Sequence, residues 1–465
     1  MNEKIRPVFH FTPPKNWMND PNGLVYLKGE YHLFYQHNPL GKDWGHMSWG
    51  HAVSQDLIHW QNLPVAIPEE LENGFTIFSG SAVVDVDNRS GFGRHGQPPI
   101  VAVYTTDYHP KKKLQNIHIA YSVDSGRTFT KYSGNPVLDV DDQKFGDPKV
   151  FWHPDTAKWI MANILGERQG RVALYSSSDL KTWDFMSEFT ADEKVPGKWE
   201  CPDLFPLTVD NNPNNVKWIL KINSTTGPVS KYFLGVFDGQ NFHTDPNFYE
   251  AYDLNFGDIY AESTWNNIPA SDGRRILIGW VPQSPCENRL WTGMQSVPRS
   301  LELESIESRL RICQEPITEM KGLRTNHIKI ENRVLKGDTN LELSTSGREL
   351  EIIANFKIIS SIEFGFRLKF NRGNKIVIGY SKTSNKVFIK QTGKRQLSGS
   401  LAEWTEKIRF HIFIDRSIIE VFVNKGEIVF TVLVEQDSII EKFYIFNQKG
   451  DIKINGFEMW KLNRD

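Results

Sequence analysis

The chain of 465 residues is poor in cysteine, in net charge and in long apolar runs, and each shortage removes a class of function. Three cysteines, Cys201, Cys286 and Cys313, stand far apart with no C-x-x-C spacing, so neither a zinc ribbon nor a disulfide framework is indicated, and the odd count suits a reducing compartment. Fifty-four Lys and Arg against 56 Asp and Glu leave a formal charge of −2. That balance gives no electrostatic case for nucleic acid or an anionic membrane, so the expected partner is a neutral small molecule or oligosaccharide. No run of about 18 apolar residues occurs, and Met1 to Pro7 has no apolar leader core, which predicts a cytoplasmic chain, or a secreted one whose signal peptide has been removed. His10, His37, His46 and His51 show no H-E-x-x-H or carboxylate-paired spacing, and neither a P-loop nor a G-x-S-x-G elbow is found. No metal and no cofactor are expected.

Helical periodicity is also nearly absent. Short strands bounded by Gly, Pro, Asn and Asp recur instead, among them Tyr31–Tyr35, Ala82–Val84, Ile100–Tyr104 and Lys149–Trp152, so the fold class is all-β. A weak repeat runs with them. Ser54-Gln55-Asp56-Leu57 through Trp60, Ser122-Val123-Asp124-Ser125 through Phe129, and Ser177-Ser178-Asp179-Leu180 through Trp183 each read as strand end, Asp-centred turn and aromatic strand start. Val236 to Phe242 is a looser relative. The spacing suits four-stranded blades with generous loops, so residues 1–315 are expected to form a β-propeller of four to six blades. Residues 316–324 read as a linker with one helical turn. Residues 325–465 alternate more strictly, as in Arg348–Ile358 and Lys407–Asp415, which predicts a β-sandwich without clustered acids or histidines.

Aromatics make up 12% of the chain, and 12 of its 14 tryptophans precede residue 300. Sugar rings present C–H faces that pack on indole, so a tryptophan-rich first region edged with Asp, Asn and Gln suits a carbohydrate site. Three acids there sit in defined settings: Asp20 in Trp17-Met18-Asn19-Asp20-Pro21-Asn22-Gly23, Asp147 in Phe145-Gly146-Asp147-Pro148, and Glu200 in Trp199-Glu200-Cys201-Pro202-Asp203. Acids on the innermost strands of different blades can converge at one mouth. Paired carboxylates then suit glycosidic chemistry, one attacking the anomeric carbon and the other protonating the leaving oxygen. On flanking residues alone, Asp20 lies among the amides of Asn19 and Asn22 and reads as the ionised nucleophile, whereas Glu200 beside Trp199, Cys201 and Pro202 reads as an acid raised by an apolar surround.

Those motifs, with Phe78-Ser79-Gly80-Ser81, Val297-Pro298-Arg299 and Asp415 to Asn424, resemble the glycoside hydrolase family 32 fructosidases from about Phe9 to the C-terminus. The resemblance implies five blades followed by a β-sandwich, and a retaining, metal-independent mechanism through a fructosyl-enzyme intermediate. It places the nucleophile at Asp20 and the acid/base at Glu200. It places contacts to terminal fructose at Asn19, Gln36, Trp44, Phe78, Ser79 and Asp147, the last counted here with the catalytic carboxylates, and Trp280 as a pocket wall. Retention requires the two catalytic carboxyls about 5 to 5.5 Å apart. One departure stands out: the family's Arg-Asp-Pro reads Gly146-Asp147-Pro148 here. Three readings stay open: a weakened fructosidase in which another arginine, with Arg289 as the candidate, takes over; altered specificity from the emptied volume; and a fructan-binding protein without catalysis.

Overall fold

The computed structural model describes residues 5–464 apart from 109–113, 141–143, 167–168, 192–194, 227–229, 249, 308, 345–346, 372 and 436–438. The chain is all-β, its one described helix longer than a single turn being a 3-10 helix at Thr318–Leu323, inside the segment read as a linker. It divides into two compact units, one of residues 11–253 and 259–300, the other of residues 5–10, 254–258 and 301–464.

In the first unit, antiparallel strands follow one another in chain order. Asn16–Leu27 leads a sheet continued by Glu30–Asn38, Ser48–Ser54 and Gln61–Ile67; Thr76–Val84 and Phe145–His153 each lead a four-stranded sheet. Trp199–Val209 and Tyr260–Thr264 belong to a single larger sheet of ten strands. The leading strands touch in sequence, Asn16–Leu27 against Thr76–Val84, that against Phe145–His153, then Trp199–Val209, then Tyr260–Thr264, which returns to the first. The repeated Ser-x-Asp turns fall where third strands end. Ser54, Ser122 and Ser177 each donate a hydroxyl hydrogen bond to the Asp two residues on, at 3.0, 2.7 and 3.2 Å. Each Asp accepts two backbone N–H groups further along, and the residue after it, Leu57, Ser125, Leu180 or, in the looser copy, Gly239, is left-handed. An Asx-type turn thus explains why this short motif repeats.

All five leading strands carry a register break close to their starts, between Met18 and Pro21, Ile77 and Gly80, opposite Ala162 and Ile164, between Glu200 and Asp203, and between Tyr260 and Ser263. Such bulges bend a strand and re-aim its side chains. Three are marked by left-handed residues, Asp147, Cys201 and Ala261. Below them, buried side chains tie the leading strands together: the Lys149 ammonium donates to Asp203 and the Thr264 carbonyl, and Asn266 donates to the carbonyls of Ala82 and Val150.

In the second unit, sheets of seven and six strands share one apolar cluster that includes Ile352, Phe366, Phe410 and Phe443. The strands foreseen here recur within a residue or so, for example Glu349–Ile358 and Lys407–Asp415. The expectation of no clustered acids or histidines fails. Asp415 accepts the backbone N–H groups of Val8, Phe9 and His10, and the His10 ring lies between Asp415 (2.9 Å) and Glu420 (3.4 Å). Burial works against a charge on His10, yet the two carboxylates raise it to about 9. The Asp415–Asn424 motif thereby anchors residues 8–10. The cluster was invisible in the sequence because His10 lies some 400 positions from its partners.

Candidate active site

The bulges explain how acids distant in sequence reach one place. Proline has no N–H for the ladder and within a sheet is confined to bulges and edges, and Pro21, Pro148 and Pro202 lie at the breaks at which Asp20, Asp147 and Glu200 turn out of the ladder. Asp20, Ser79, Asp147 and Cys201 line one cleft of about 290 Å³ including its open mouth. The Ser79 hydroxyl donates to Asp20 Oδ2 at 2.6 Å and the Asn19 amide to Oδ1 at 3.0 Å. Asn19 is itself fixed, accepting from Trp17 Nε1 at 2.7 Å through its side chain and from the Gln295 amide at 2.9 Å through its carbonyl. The Cys201 N–H donates to Asp147 Oδ2 at 3.0 Å, and its thiol lies 3.7 Å from Asp20 Oδ2 and 3.9 Å from Asp147 Oδ2. Glu200 is held through both oxygens, Oε1 by the Lys144 ammonium at 2.9 Å and Oε2 by the Tyr260 hydroxyl at 2.7 Å.

These contacts reverse the electrostatics read from flanking residues. Burial, with help from the charge of Glu200, raises Asp20 above its ordinary value, and the hydrogen bonds from Ser79 and Asn19 only partly offset it. Burial also raises Asp147, to about 6, against the pull of Lys144 and with the repulsion of Glu200 and Asp20. Burial pushes Glu200 up as well, but Lys144 and Tyr260 outweigh it and leave the group below its ordinary value. The apolar surround expected for Glu200 does not exist because neighbours along a strand face opposite ways. Trp199 is 1% exposed in an apolar cluster with Leu204 and Phe233, while Glu200 meets groups from other strands. With three carboxylates this close, their protonation belongs to the cluster. Buried and beside two acids, the Cys201 thiol is pushed well up, which keeps it an uncharged donor.

The remaining expected residues are placed as follows. Gln36 is buried and its amide nitrogen has no hydrogen-bond partner among the described residues, as is true of Trp280 Nε1. Trp17 meets Trp280 edge-on at 6.0 Å, and Trp44, 60% exposed, meets Phe78 in the same way at 6.0 Å. Gly146 opens on a filled space. A Cβ there would lie 2.8 Å from Thr105 Oγ1 and 3.0 Å from its Cγ2, and Thr105 accepts from the Asp147 N–H and donates to the Ser79 carbonyl. Arg289 is engaged elsewhere, donating to the Gln283 side chain and the Ser284 carbonyl. Lys144 and Tyr260 were missed, since neither has a flanking pattern that distinguishes it. Among the described residues no group of three His, Cys, Asp or Glu is arranged to hold a metal ion.

Known proteins share the sequence pattern and the fold. Residues 10–316 match the Glycosyl hydrolases family 32 N-terminal domain, and residues 319–461 match Glycosyl hydrolases family 32 C terminal. The chain is 40% identical to a levanase of Bacillus subtilis over 99% of its own length and 71% of that protein, and 34% identical to an extracellular exo-inulinase of Aspergillus awamori over 92% and 89%. The crystal structure of the Aspergillus awamori exo-inulinase superposes with a TM-score of 0.90 at 31% identity, covering 98% of each chain. A Schwanniomyces occidentalis fructofuranosidase variant complexed with fructosylnystose gives 0.89 at 27%, covering 99% and 98%. With both of its domains matched in order and the fold shared along nearly its whole length, the chain belongs to glycosyl hydrolase family 32.

Proposed function

We propose that the protein releases terminal β-D-fructofuranosyl units from sucrose or fructans, with retention, through a covalent fructosyl intermediate on Asp20. The observation that carries this is the meeting of Asp20, Asp147 and Glu200 around Cys201, on bulges of three different leading strands. Ser79 and Asn19 fix one rotamer of Asp20, as an in-line nucleophile requires. Glu200 gives a proton to the leaving oxygen and later takes one from water. Asp147, with the unpartnered amide of Gln36 and indole of Trp280, suits the hydroxyls of a fructose ring, while Trp17, Trp44 and Phe78 supply apolar faces. The accompanying fold reading divides the ten-stranded sheet into two blades. It gives a five-bladed propeller over residues 1–315, a linker over 316–324 and a sandwich over 325–465, and the five bulged leading strands support it.

Incubating the pure protein with sucrose, inulin and levan, while following fructose and new oligosaccharides, tests this reading. Fructose appearing first as the β-anomer in NMR spectra is the expected result; dominant oligosaccharide products would make the protein a transferase. Binding without any product would leave a fructan-binding protein and sink the enzyme reading.

The same reading predicts how Gly146 behaves. Gly146→Arg alone loses activity and about 1–3 kcal/mol of stability, because the new Cβ displaces Thr105, which holds Asp147 beside Ser79. Thr105→Ala removes both close atoms and leaves Cβ to Cβ at 3.5 Å, so T105A/G146R melts above G146R. Equal melting temperatures for the two variants would show that Thr105 is not the obstacle.

A further inference from the structure

The cation facing the carboxylates comes from a position that neither the motif nor the candidate Arg289 pointed to. Lys144 lies two residues before Gly146, in the step that enters the Phe145–His153 strand. Its carbonyl accepts the Gly166 N–H at 3.0 Å, and Phe145 beside it is fully buried, so the backbone is fixed where it enters the strand. Its ammonium reaches Glu200 Oε1 at 2.9 Å, across 56 residues of sequence, and attracts Asp147 as well. The pair is about a quarter exposed, 24% for Lys144 and 28% for Glu200, which puts it in the mouth of the site and not in the core. Facing Glu200 from the other elements are Tyr260, Asp147 and Asp20, with the Cys201 thiol and Lys198 on its own segment. Lys144 is therefore the one cation among the described residues that hydrogen-bonds this carboxylate.

Resting on the fructosidase reading above, we propose that Lys144 is a positioning residue of the reaction, its ammonium supplying beside Glu200 and Asp147 the positive charge that residue 146 does not carry in this chain. When Glu200 passes its proton to the leaving oxygen, the O–H bond of the acid breaks and a carboxylate forms 2.9 Å from the ammonium, which stabilises the charge as it develops. In the second half-reaction the same carboxylate takes a proton from water, which adds its oxygen to the anomeric carbon as the bond to Asp20 breaks. Lys144 keeps its own proton throughout, since Asp147 and Glu200 raise it above its ordinary value despite burial. The attraction also makes Glu200 a stronger acid, so the limb of activity that Glu200 sets lies at low pH.

Lys144→Met and Lys144→Arg in the full chain test this. In K144M, kcat falls about tenfold or more and the limb of kcat/KM set by Glu200 moves to higher pH, while K144R recovers most of the rate and returns the limb toward its original position. Melting temperatures close to the parent protein are expected for both, because the pair is partly exposed. A K144M limb that stays in place, or a K144R as impaired as K144M at an unchanged melting temperature, overturns the proposal. The Glu200 carboxyl can also be titrated by 13C NMR without substrate, and K144M must titrate at higher pH than the parent. An unchanged titration overturns the proposal independently, whereas an upward shift in a protein that releases no fructose sinks the hydrolase reading and leaves the contact standing.

Discussion

Asp20→Ala abolishes fructose release, lowering kcat by about 10⁴-fold or more, while the protein stays folded and melts at or above the temperature of the parent. The loss follows from the proposed role: with no carboxylate to trap the fructosyl cation, only binding and the charge around the site remain, and triad enzymes stripped of one member lose activity on that scale. The stability follows from the site. Asp20 is raised by burial and by the charge of Glu200, so its ionised form is disfavoured in the folded protein, and deleting it removes an unfavourable charge. The cost is the hydrogen bonds from Ser79 and Asn19, both of which can turn to water in an open cleft. Initial rates on sucrose and a thermal melt check both halves. Activity above about 1% of the parent would place the nucleophile on another residue. The sign of the pH effect is set by the same shift: a group whose folded value is raised is protonated sooner as pH falls, so Asp20 takes up its proton at a higher pH than a free aspartate does.

What the sequence disclosed and what it concealed divide along a physical line. Strand segments, the Asp-centred turns and the acids themselves are local signals, carried by alternation, turn chemistry and proline, and they reappear at the expected residues. Pro21, Pro148 and Pro202 also lie at the bulges, in keeping with the confinement of proline within a sheet to bulges and edges. The environment of each acid was a different matter. Trp199 and Pro202 flank Glu200 in sequence, yet its real neighbours are Lys144, 56 residues earlier, and Tyr260, 60 residues later. Thr105 filling the space at Gly146, and His10 between Asp415 and Glu420, are likewise contacts made by packing between strands. Charge inferred from flanking residues therefore gave the wrong direction for both Asp20 and Glu200, although the residues were the right ones to examine.

Asp203→Ala is expected to destabilise the first unit by about 3–5 kcal/mol, a larger effect than any substitution in the cleft itself. Lys149 and Asp203 are 3% and 1% exposed and lie 3.1 Å apart. Asp203 Oδ2 also accepts the Thr264 N–H at 2.8 Å, and Lys149 donates to the Thr264 carbonyl at 2.6 Å. Three leading strands meet in those contacts, one carrying Asp147, one Glu200 and one Tyr260. Burial already lowers the proton affinity of Lys149, with Arg275 and Lys221 adding repulsion and Asp203 opposing it. Removing Asp203 leaves three cations sharing fewer counter-charges in a dry interior. K149M/D203A, which removes both ends, should recover part of the loss, because an apolar pair leaves no orphaned charge. Thermal melts of the single and double variants decide it: a D203A protein melting within about 2 °C of the parent would mean that the leading strands are held by backbone pairing and apolar packing alone. Activity in D203A should fall further than the fraction unfolded explains, since the strands that lose this tie are the ones that carry Asp147 and Glu200 into the proposed site.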